Sequence, residues 1–190
     1  MDQITLGSKS PRRLELLKRL NLNIIVKPSN IDETFNKNKT LEENGLDISN
    51  KKLLEIRTRN PNDKWIVTAD TFIAFRGIAL GKPRDREDAF DMLQTLAGNE
   101  HKVITALSLY SKKAEKTLSE VDISYVKFKD LSTNEINSYL DLNEWEDAAG
   151  GYKIQAQGEI LTEYIKGTFS SIMGLPINRF YGMLTALNYY

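Results

Sequence analysis

The sequence predicts an α/β domain with a mixed β-sheet flanked by helices. Short runs of β-branched and aromatic residues alternate along the chain with segments whose leucines and isoleucines recur at helical spacing. Some strand-like runs are separated only by a turn, which indicates hairpins within that alternation and therefore a mixed sheet. The 190 residues contain no linker, repeat or low-complexity tract, so we predict one domain over residues 1–190.

The first third of the chain predicts two strands and two helices. The run Ile4-Thr5-Leu6 leads through a polar loop to a helix that starts at Ser10-Pro11, because serine caps a first turn and proline's missing N–H costs nothing there. A second strand is predicted over Ile24–Val26. Apolar residues at helical spacing predict a helix over 46–59, which the sequence Asn60-Pro61-Asn62-Asp63 ends.

The rest of the chain continues the alternation. It predicts, in order, a strand over 65–75 that only Asp70 interrupts, a short strand over 78–80, a helix over 86–96, and strands over 103–110 and 121–128. Gly98 is the predicted C-terminal cap of the helix. The capping-box sequence Ser132-Thr133-Asn134-Glu135 predicts a further helix, residues 152–155 are strand-like, and a last helix ends near 187.

Composition excludes several classes of protein. The chain has no cysteine, which removes disulfides, thiol catalysis and cysteine-ligated zinc. Its 26 Lys and Arg balance its 26 Asp and Glu, whereas a nucleic-acid or anionic-membrane surface needs a clustered positive excess. No apolar run approaches the roughly 18 residues of a membrane span, and no signal peptide is evident. We therefore expect a cytoplasmic protein with neither a nucleic-acid nor a membrane partner.

The residue types left for catalysis are carboxylates, lysines, arginines and hydroxyls. His101 is the only histidine, so a serine, histidine and acid triad is not expected, and a structural role is the better hypothesis for it. In phosphoryl chemistry, positive groups and a divalent cation offset the charge on phosphate oxygens while a carboxylate orients the attacking water. The available side chains suit that chemistry.

Three local patterns point to such a site. The loop Ser8-Lys9-Ser10-Pro11-Arg12-Arg13 joins hydroxyls and arginines to the free N–H groups of a helix N-terminus, which favours a phosphate; the alternative is a capped helix with solvated arginines. Asp70 lies inside an otherwise apolar strand, so it must be hydrogen-bonded, metal-bound or at a cleft; the alternative is an ordinary strand-end aspartate. Asp32-Glu33 suits a hard cation, or is simply a solvated pair.

Motifs in a fixed order run through essentially the whole chain. They are Leu6-Gly7-Ser8-Lys9-Ser10-Pro11-Arg12-Arg13-Leu14, Asp32-Glu33-Thr34, Lys52, Ala69-Asp70-Thr71, Gly81-Lys82-Pro83, Leu96-Ala97-Gly98, His101-Lys102-Val103-Ile104-Thr105, Glu144-Trp145-Glu146-Asp147-Ala148-Ala149-Gly150-Gly151-Tyr152-Lys153-Ile154-Gln155 and Gly174-Leu175-Pro176. Together they resemble the Maf-like family of nucleoside triphosphate pyrophosphatases. The resemblance implies an elongated mixed sheet flanked by helices, similar to inosine triphosphate pyrophosphatases, with two lobes around a nucleotide cleft and a homodimer as the assembly.

The resemblance also implies an activity. The family members are metal-dependent hydrolases that cut a nucleoside triphosphate between its α and β phosphates, releasing the monophosphate and pyrophosphate. Asp70 matches the catalytic carboxylate that activates water, and with Glu33 it would hold Mg²⁺ or Mn²⁺. The positions that match those around the triphosphate are Ser8, Arg13, Lys52 and Lys82.

The residues near the base divide the family by substrate. Arg12, Thr71 and Gln155 are similar to those of the subfamily that acts on dTTP and UTP, and the implied substrates extend to modified pyrimidine nucleoside triphosphates. The alternatives are the 7-methyl-GTP pyrophosphatases of the same family, or a nucleotide-binding regulator of septum formation. Three positions depart from the family pattern: Gly7 stands where alanine is usual, Ala148 where lysine is common, and Ala156 where glycine usually follows the glutamine.

Overall fold

The computed structural model describes residues 2–190, which form seven strands and six α-helices. The strands are β1 (Ile4–Leu6), β2 (Ile24–Val26), β3 (Trp65–Phe75), β4 (Ile78–Leu80), β5 (Glu100–Ser111), β6 (Lys116–Phe128) and β7 (Thr162–Lys166). The helices are α1 (Pro11–Lys18), α2 (Leu41–Arg59), α3 (Arg86–Leu96), α4 (Thr133–Leu140), α5 (Phe169–Ile172) and α6 (Ile177–Ala186). Two short 3-10 segments cover Ala149–Gly151 and Gln157–Leu161.

The strands form one mixed sheet, as the sequence predicts. Their order is β2-β1-β3-β5-β6-β7, and β4 pairs with β3. Strand β1 runs parallel to both β2 and β3, whereas the β3–β4 and β6–β7 pairs are antiparallel. No helix in the described part of the chain combines the length and hydropathy that a membrane span requires.

The chain divides into two compact units. The first contains the residues up to Asp70 together with Thr105–Asp122 and Gly174–Tyr190, and the second contains Thr71–Ile104 and Ile123–Met173. Each boundary within the sheet falls inside a long strand, so β3, β5 and β6 each contribute residues to both units. One domain over residues 1–190 stays a prediction.

The core of the first unit forms around parallel strands that are apolar on both faces. Every residue of β1 is buried, as are the first six residues of β3. Parallel strands buried on both sides need helices to cover them, which is why their sequences are continuous apolar runs rather than alternating ones. The buried residues of the helices in this unit are mainly leucine, isoleucine, phenylalanine and methionine: Leu16, Leu17, Ile48, Leu53, Ile56, Phe180, Met183 and Leu184.

In the second unit, α3 packs against α4 and against the 3-10 segment Ala149–Gly151. Gly150 has φ of 68°, and a Cβ there would lie 2.2 Å from Cδ1 of Ile73, so only glycine fits this close approach. Gly151, at φ of 77°, turns the chain again. These two glycines set the path of the residues that follow them.

Three sequence predictions are wrong in their extent or type. The strand predicted over 121–128 begins five residues earlier, at Lys116. The helix predicted over 46–59 begins five residues earlier, because Thr40 and Glu43 form a capping box whose signal is stronger than the sparse apolar pattern that follows it. Residues 152–155 do not form a strand. They lead into a turn, since Gly150-Gly151 redirects the chain and the Ala156 N–H donates back to the Lys153 carbonyl at 3.1 Å.

The contact between Gly7 and Thr68 generates a stability prediction. A Cβ on Gly7 would lie 2.6 Å from Cγ2 of Thr68 and 3.1 Å from Cγ1 of Ile56. We expect Gly7→Ala to lower the free energy of unfolding by about 1–3 kcal/mol, as overpacking does in a close-packed core. Urea unfolding measures this loss.

A second substitution should restore the lost stability. Thr68→Ser removes the methyl group that the added Cβ would strike and keeps the hydroxyl that donates to the Ser49 carbonyl at 2.7 Å. Gly7→Ala combined with Thr68→Ser should therefore be more stable than Gly7→Ala alone. Gly182→Ala is the control, because a Cβ there meets nothing within 4 Å. Simple additivity of the two core substitutions would contradict the proposed contact.

Candidate active site

The loop before α1 is folded around the side chain of Ser8. Its Oγ accepts hydrogen bonds from the Ser10 N–H at 3.2 Å and from Nη1 of Arg13 at 2.9 Å. Ser10 caps α1, since its Oγ accepts from the Arg13 N–H, and Pro11 occupies the first helical position as predicted. The loop therefore places a hydroxyl and an arginine beside a helix N-terminus, which is a favourable place for an anion.

Arg13 turns back over this loop. Its Nε donates to the Gly174 carbonyl at 2.8 Å, which links the start of α1 to the turn before α6. Burial lowers the pKa of Arg13, the carboxylates of Asp70 and Glu33 oppose that shift, and Arg12 adds to it. A guanidinium stays protonated through such shifts because its pKa begins so far above neutrality.

Lys52 and Asp70 form a buried ion pair. Asp70 lies on β3 with 7% of its surface exposed, and Lys52 on α2 has 5% exposed. Nζ of Lys52 lies 2.8 Å from Oδ1 of Asp70 and also 3.0 Å from Oε1 of Glu33, whose side chain is 55% exposed. A buried carboxylate needs such a partner, because an unpaired charge in the protein interior is very unfavourable.

The periodicities of helix and strand bring this pair together. Thr68 and Asp70 are two residues apart on β3 and so face the same side, while Ser49 and Lys52 are three apart on α2 and share one helix face. The Thr68 hydroxyl donates to the Ser49 carbonyl at 2.7 Å. One strand repeat and about one helical turn further on, Nζ of Lys52 donates to Oδ1 of Asp70. The Ser49 hydroxyl also lies 2.6 Å from the hydroxyl of Ser108 on β5.

Sequence reasoning missed these hydroxyl residues. Ser49, Thr68 and Ser108 are all fully buried, and the first two fix α2 against β3 and so position Lys52 beside Asp70. The spacings were a usable signal. Thr68 precedes Asp70 by the two residues of a strand repeat, and Ser49 precedes Lys52 by three residues, about one helical turn. The sequence alone did not show that α2 and β3 are neighbours.

The predicted site residues of the first unit form a charged cluster, which we call the Asp70 cluster. Its members are Ser8, Arg12, Arg13, Glu33, Lys52 and Asp70. The charges of Asp70, Glu33 and Arg12 all act on Arg13, so the anion loop and the Lys52–Asp70 pair lie within electrostatic reach of each other. Six of the predicted site residues are therefore brought together, and the cations in the cluster outnumber the carboxylates.

The other predicted site residues belong to the second unit. Thr71 follows Asp70 on β3 and is partly buried. Lys82 is exposed and its Nζ lies 3.0 Å from Oδ1 of Asp147. Gln155 lies in the turn rather than on a strand, and its Oε1 is buried with no hydrogen-bond partner among the residues described. Ala148 is buried.

The two carboxylates of the site suit a divalent cation that takes its other ligands from water and substrate phosphates. Among residues 2–190, no three His, Cys, Asp or Glu side chains are grouped so that they could hold a metal ion. Glu33 and Asp70 are the two carboxylates that converge, and they do so on Lys52. Mg²⁺ commonly uses one or two carboxylates and takes its other ligands from water and substrate phosphates, so this pair fits a metal that arrives with a phosphate ligand.

His101 has the surroundings of a structural residue. It is buried against the rings of Phe128 and Tyr152, and its Nε2 lies 2.8 Å from the Tyr152 hydroxyl. Burial lowers the pKa of His101 to about 4, so the imidazole is neutral near pH 7. Burial also raises the pKa of Tyr152. The contacts agree with the structural role expected for this histidine.

The mixed sheet with its flanking helices is shared with the solved structure of the Staphylococcus aureus Ham1 protein. The two match with a TM-score of 0.54 over 97% of this chain and 99% of that chain at 12% identity, which shows a common α/β fold. Within that class, this chain belongs to the Maf-like protein family, whose model matches residues 3–187. The family predicted from the ordered motifs is thereby confirmed.

Named relatives match nearly the full chain. The dTTP/UTP pyrophosphatase of Pyrococcus furiosus is 41% identical over 177 residues, which cover 93% of this chain and 91% of that protein. The dTTP/UTP pyrophosphatase of Fusobacterium nucleatum is 44% identical over 184 residues, which cover 97% of this chain and 95% of that protein. The similarity therefore includes both units.

The neutral His101 generates a prediction about pH. Its pKa of about 4 in the folded protein lies below the ordinary value of 6.5, so the unfolded chain binds more protons between these values. The contribution of His101 to the free energy of unfolding is therefore fully present above pH 6.5 and is lost as the pH falls towards 4. The loss should amount to on the order of 3 kcal/mol.

His101→Gln isolates this contribution, because glutamine can still hydrogen-bond to Tyr152 but does not titrate. The variant should show a shallower fall in the free energy of unfolding than the wild type over the same pH range, measured by urea unfolding. Carboxylates titrate equally in both proteins, so the difference between the two curves reports His101. Parallel curves would show that His101 can take up a proton within the fold.

Proposed function

We propose that this protein hydrolyses dTTP and UTP to the monophosphate and pyrophosphate, and that Asp70 activates the attacking water. Similarity over nearly the whole chain to relatives that bear the name dTTP/UTP pyrophosphatase supports the reaction. The observation that carries the assignment of the site is the buried Asp70 carboxylate, paired with Lys52 and within electrostatic reach of the anion loop. The same chemistry extends to pyrimidine nucleotides with modified bases.

Asp70 is assigned to the proton of the attacking water. In the nucleotide-free protein Lys52 donates to Oδ1, so we assign Oδ2 to accept the proton of the water. The water oxygen bonds to the α-phosphorus, the bond from that phosphorus to the α–β bridging oxygen breaks, and pyrophosphate leaves with that oxygen. A buried carboxylate suits this role because its surroundings, rather than bulk water, fix its position.

The cations of the cluster are assigned to the triphosphate. Ser8 and Arg13 would donate to phosphate oxygens from the loop at the N-terminus of α1, where the backbone N–H groups add to the positive potential. Lys52 supplies a further ammonium, and Lys82 is assigned the same role on the strength of the family resemblance. These groups favour the transition state because they face the charge that develops on the leaving pyrophosphate.

We further propose that Mg²⁺ or Mn²⁺ is the cofactor, held by Glu33 and Asp70 and by phosphate oxygens of the substrate. Such an ion supplies positive charge that neutralises the phosphate oxygens. The two carboxylates that share Lys52 support this assignment. The homodimer and the cytoplasmic location stay predictions.

The residues assigned to base recognition are Arg12, Thr71 and Gln155. The buried, unpartnered Oε1 of Gln155 supports a role in binding, since a buried polar atom is stabilised only when it finds a partner. Uracil and thymine present an N3–H donor to such an acceptor, whereas cytosine presents an acceptor at N3. We therefore propose that Gln155 favours UTP and dTTP over CTP.

The first test is pyrophosphate release from a panel of nucleoside triphosphates with Mg²⁺ or Mn²⁺. UTP and dTTP should be the best substrates, and Asp70→Asn should lower kcat by on the order of 10² or more, as the loss of a positioned base does. Asp63→Asn is the matched control, because Asp63 also pairs with a lysine, Lys27, outside the Asp70 cluster.

Three outcomes would contradict the proposal. Preference for 7-methyl-GTP would place the protein in the other subfamily. Binding of UTP without pyrophosphate release would favour a nucleotide-binding regulator. Equal rates for the wild type and Asp70→Asn would remove Asp70 as the base.

The second test concerns the base. Gln155→Ala should reduce the ratio of kcat/KM for UTP over CTP by about tenfold or more, because the site then lacks the acceptor for N3–H. Gln157→Ala is the control, since Gln157 is an exposed glutamine only two residues further along. An unchanged ratio in Gln155→Ala would assign discrimination to other residues.

A further inference from the structure

Lys52 lies between the two carboxylates that are assigned to the metal. Its Nζ contacts Oδ1 of Asp70 at 2.8 Å and Oε1 of Glu33 at 3.0 Å, and the lysine is almost completely buried. A single ammonium thus binds both carboxylates at once. This arrangement differs from an ordinary ion pair, in which the lysine serves one partner.

A divalent ion and the Lys52 ammonium would compete for the same oxygens. Mg²⁺ binds carboxylate oxygen at about 2.0–2.1 Å, so both oxygens would have to turn from the lysine towards the ion. An ion beside a buried ammonium also meets like-charge repulsion, which is strong where water is excluded. Arg13 lies within electrostatic reach of the same two carboxylates and adds to that repulsion.

A triphosphate changes this balance. Its phosphate oxygens offer the Lys52 ammonium a new partner and bring the negative charge that offsets a divalent ion. Lys52 can then move from the carboxylates to the phosphates while the ion takes its place. The exchange replaces one set of ion pairs by another and leaves no buried charge unpaired.

We propose that Lys52 is the resident cation of the nucleotide-free protein, and that it allows a divalent metal to bind between Glu33 and Asp70 only together with a triphosphate. This inference rests on the proposed function and adds to it a coupling between metal and nucleotide. By linkage, the nucleotide raises the affinity for the metal by the same factor as the metal raises the affinity for the nucleotide. The coupling is a property of Lys52 and is measurable without turnover.

The experiment is a Mn²⁺ titration in the absence of nucleotide, read by the EPR signal of free Mn²⁺. The wild type is compared with Lys52→Met, in which an unbranched side chain one atom shorter fills most of the same space and carries no charge. We expect weak binding by the wild type and binding at least about tenfold tighter by Lys52→Met. Lys27→Met is the control, because Lys27 pairs with one carboxylate, Asp63, rather than with two. It should bind Mn²⁺ as weakly as the wild type.

The effect must also depend on the carboxylates. Lys52→Met combined with Asp70→Asn should lose the added affinity. Mn²⁺ bound no more tightly by Lys52→Met than by the wild type would overturn the proposal. Tight binding of one Mn²⁺ per chain by the wild type without nucleotide would also overturn the proposal.

Folding of Lys52→Met is checked by circular dichroism, and Lys52→Gln is the second variant because its amide can still donate to Asp70. If neither folds, the wild type decides the question with α,β-imido-UTP, which cannot be cleaved at the α–β bond. Weak Mn²⁺ binding that becomes tight with this analogue, and that Asp70→Asn abolishes, supports the exchange. Tight binding without the analogue overturns it. Metal binding is read without hydrolysis, so failure here and failure of the Asp70→Asn kinetic test are separate results.

Discussion

Lys52 on α2 and Asp70 on β3 face each other where almost no solvent reaches them. Burial of either charge alone would be strongly unfavourable, so the two elements must pack with these side chains aligned. Glu33 extends this pairing towards the surface, and Arg13 lies within its electrostatic reach. The orientation of the Asp70 carboxylate depends on this one buried pair, and the proposed metal site is built on the same side chains.

Buried hydroxyl groups keep that pair in alignment. Thr68 binds the Ser49 carbonyl one strand repeat before Asp70, and Ser49 in turn lies against Ser108. These bonds connect α2 to two neighbouring strands with neutral groups, which do not alter the charge of the site. The methyl group of Thr68 also occupies the space beside Gly7, so a side chain at position 7 meets a direct steric obstacle.

Much of the fold could be predicted from short-range patterns. The strand at Ile4–Leu6, the serine cap and proline at the start of α1, and the helix over Arg86–Leu96 each follow from signals within a few residues. The start of α2 was missed because the apolar pattern was weighed above the capping box at Thr40. The turn at Gln155 was missed because two glycines with positive φ redirect a run of residues that is otherwise strand-like.

The sequence by itself determined which chemistry is available. The absence of cysteine, the single histidine, the arginine-bearing loop and the aspartate in an apolar strand are local facts, and the ordered motifs were enough to identify the family. Only the tertiary structure decided that Lys52 pairs with both Glu33 and Asp70. It also decided that Arg13 lies close enough to feel the charges of these two carboxylates. The physical reason is that a buried charge is defined by its partners, and these partners come from segments 18 or more residues apart that meet only when α2 packs on the sheet.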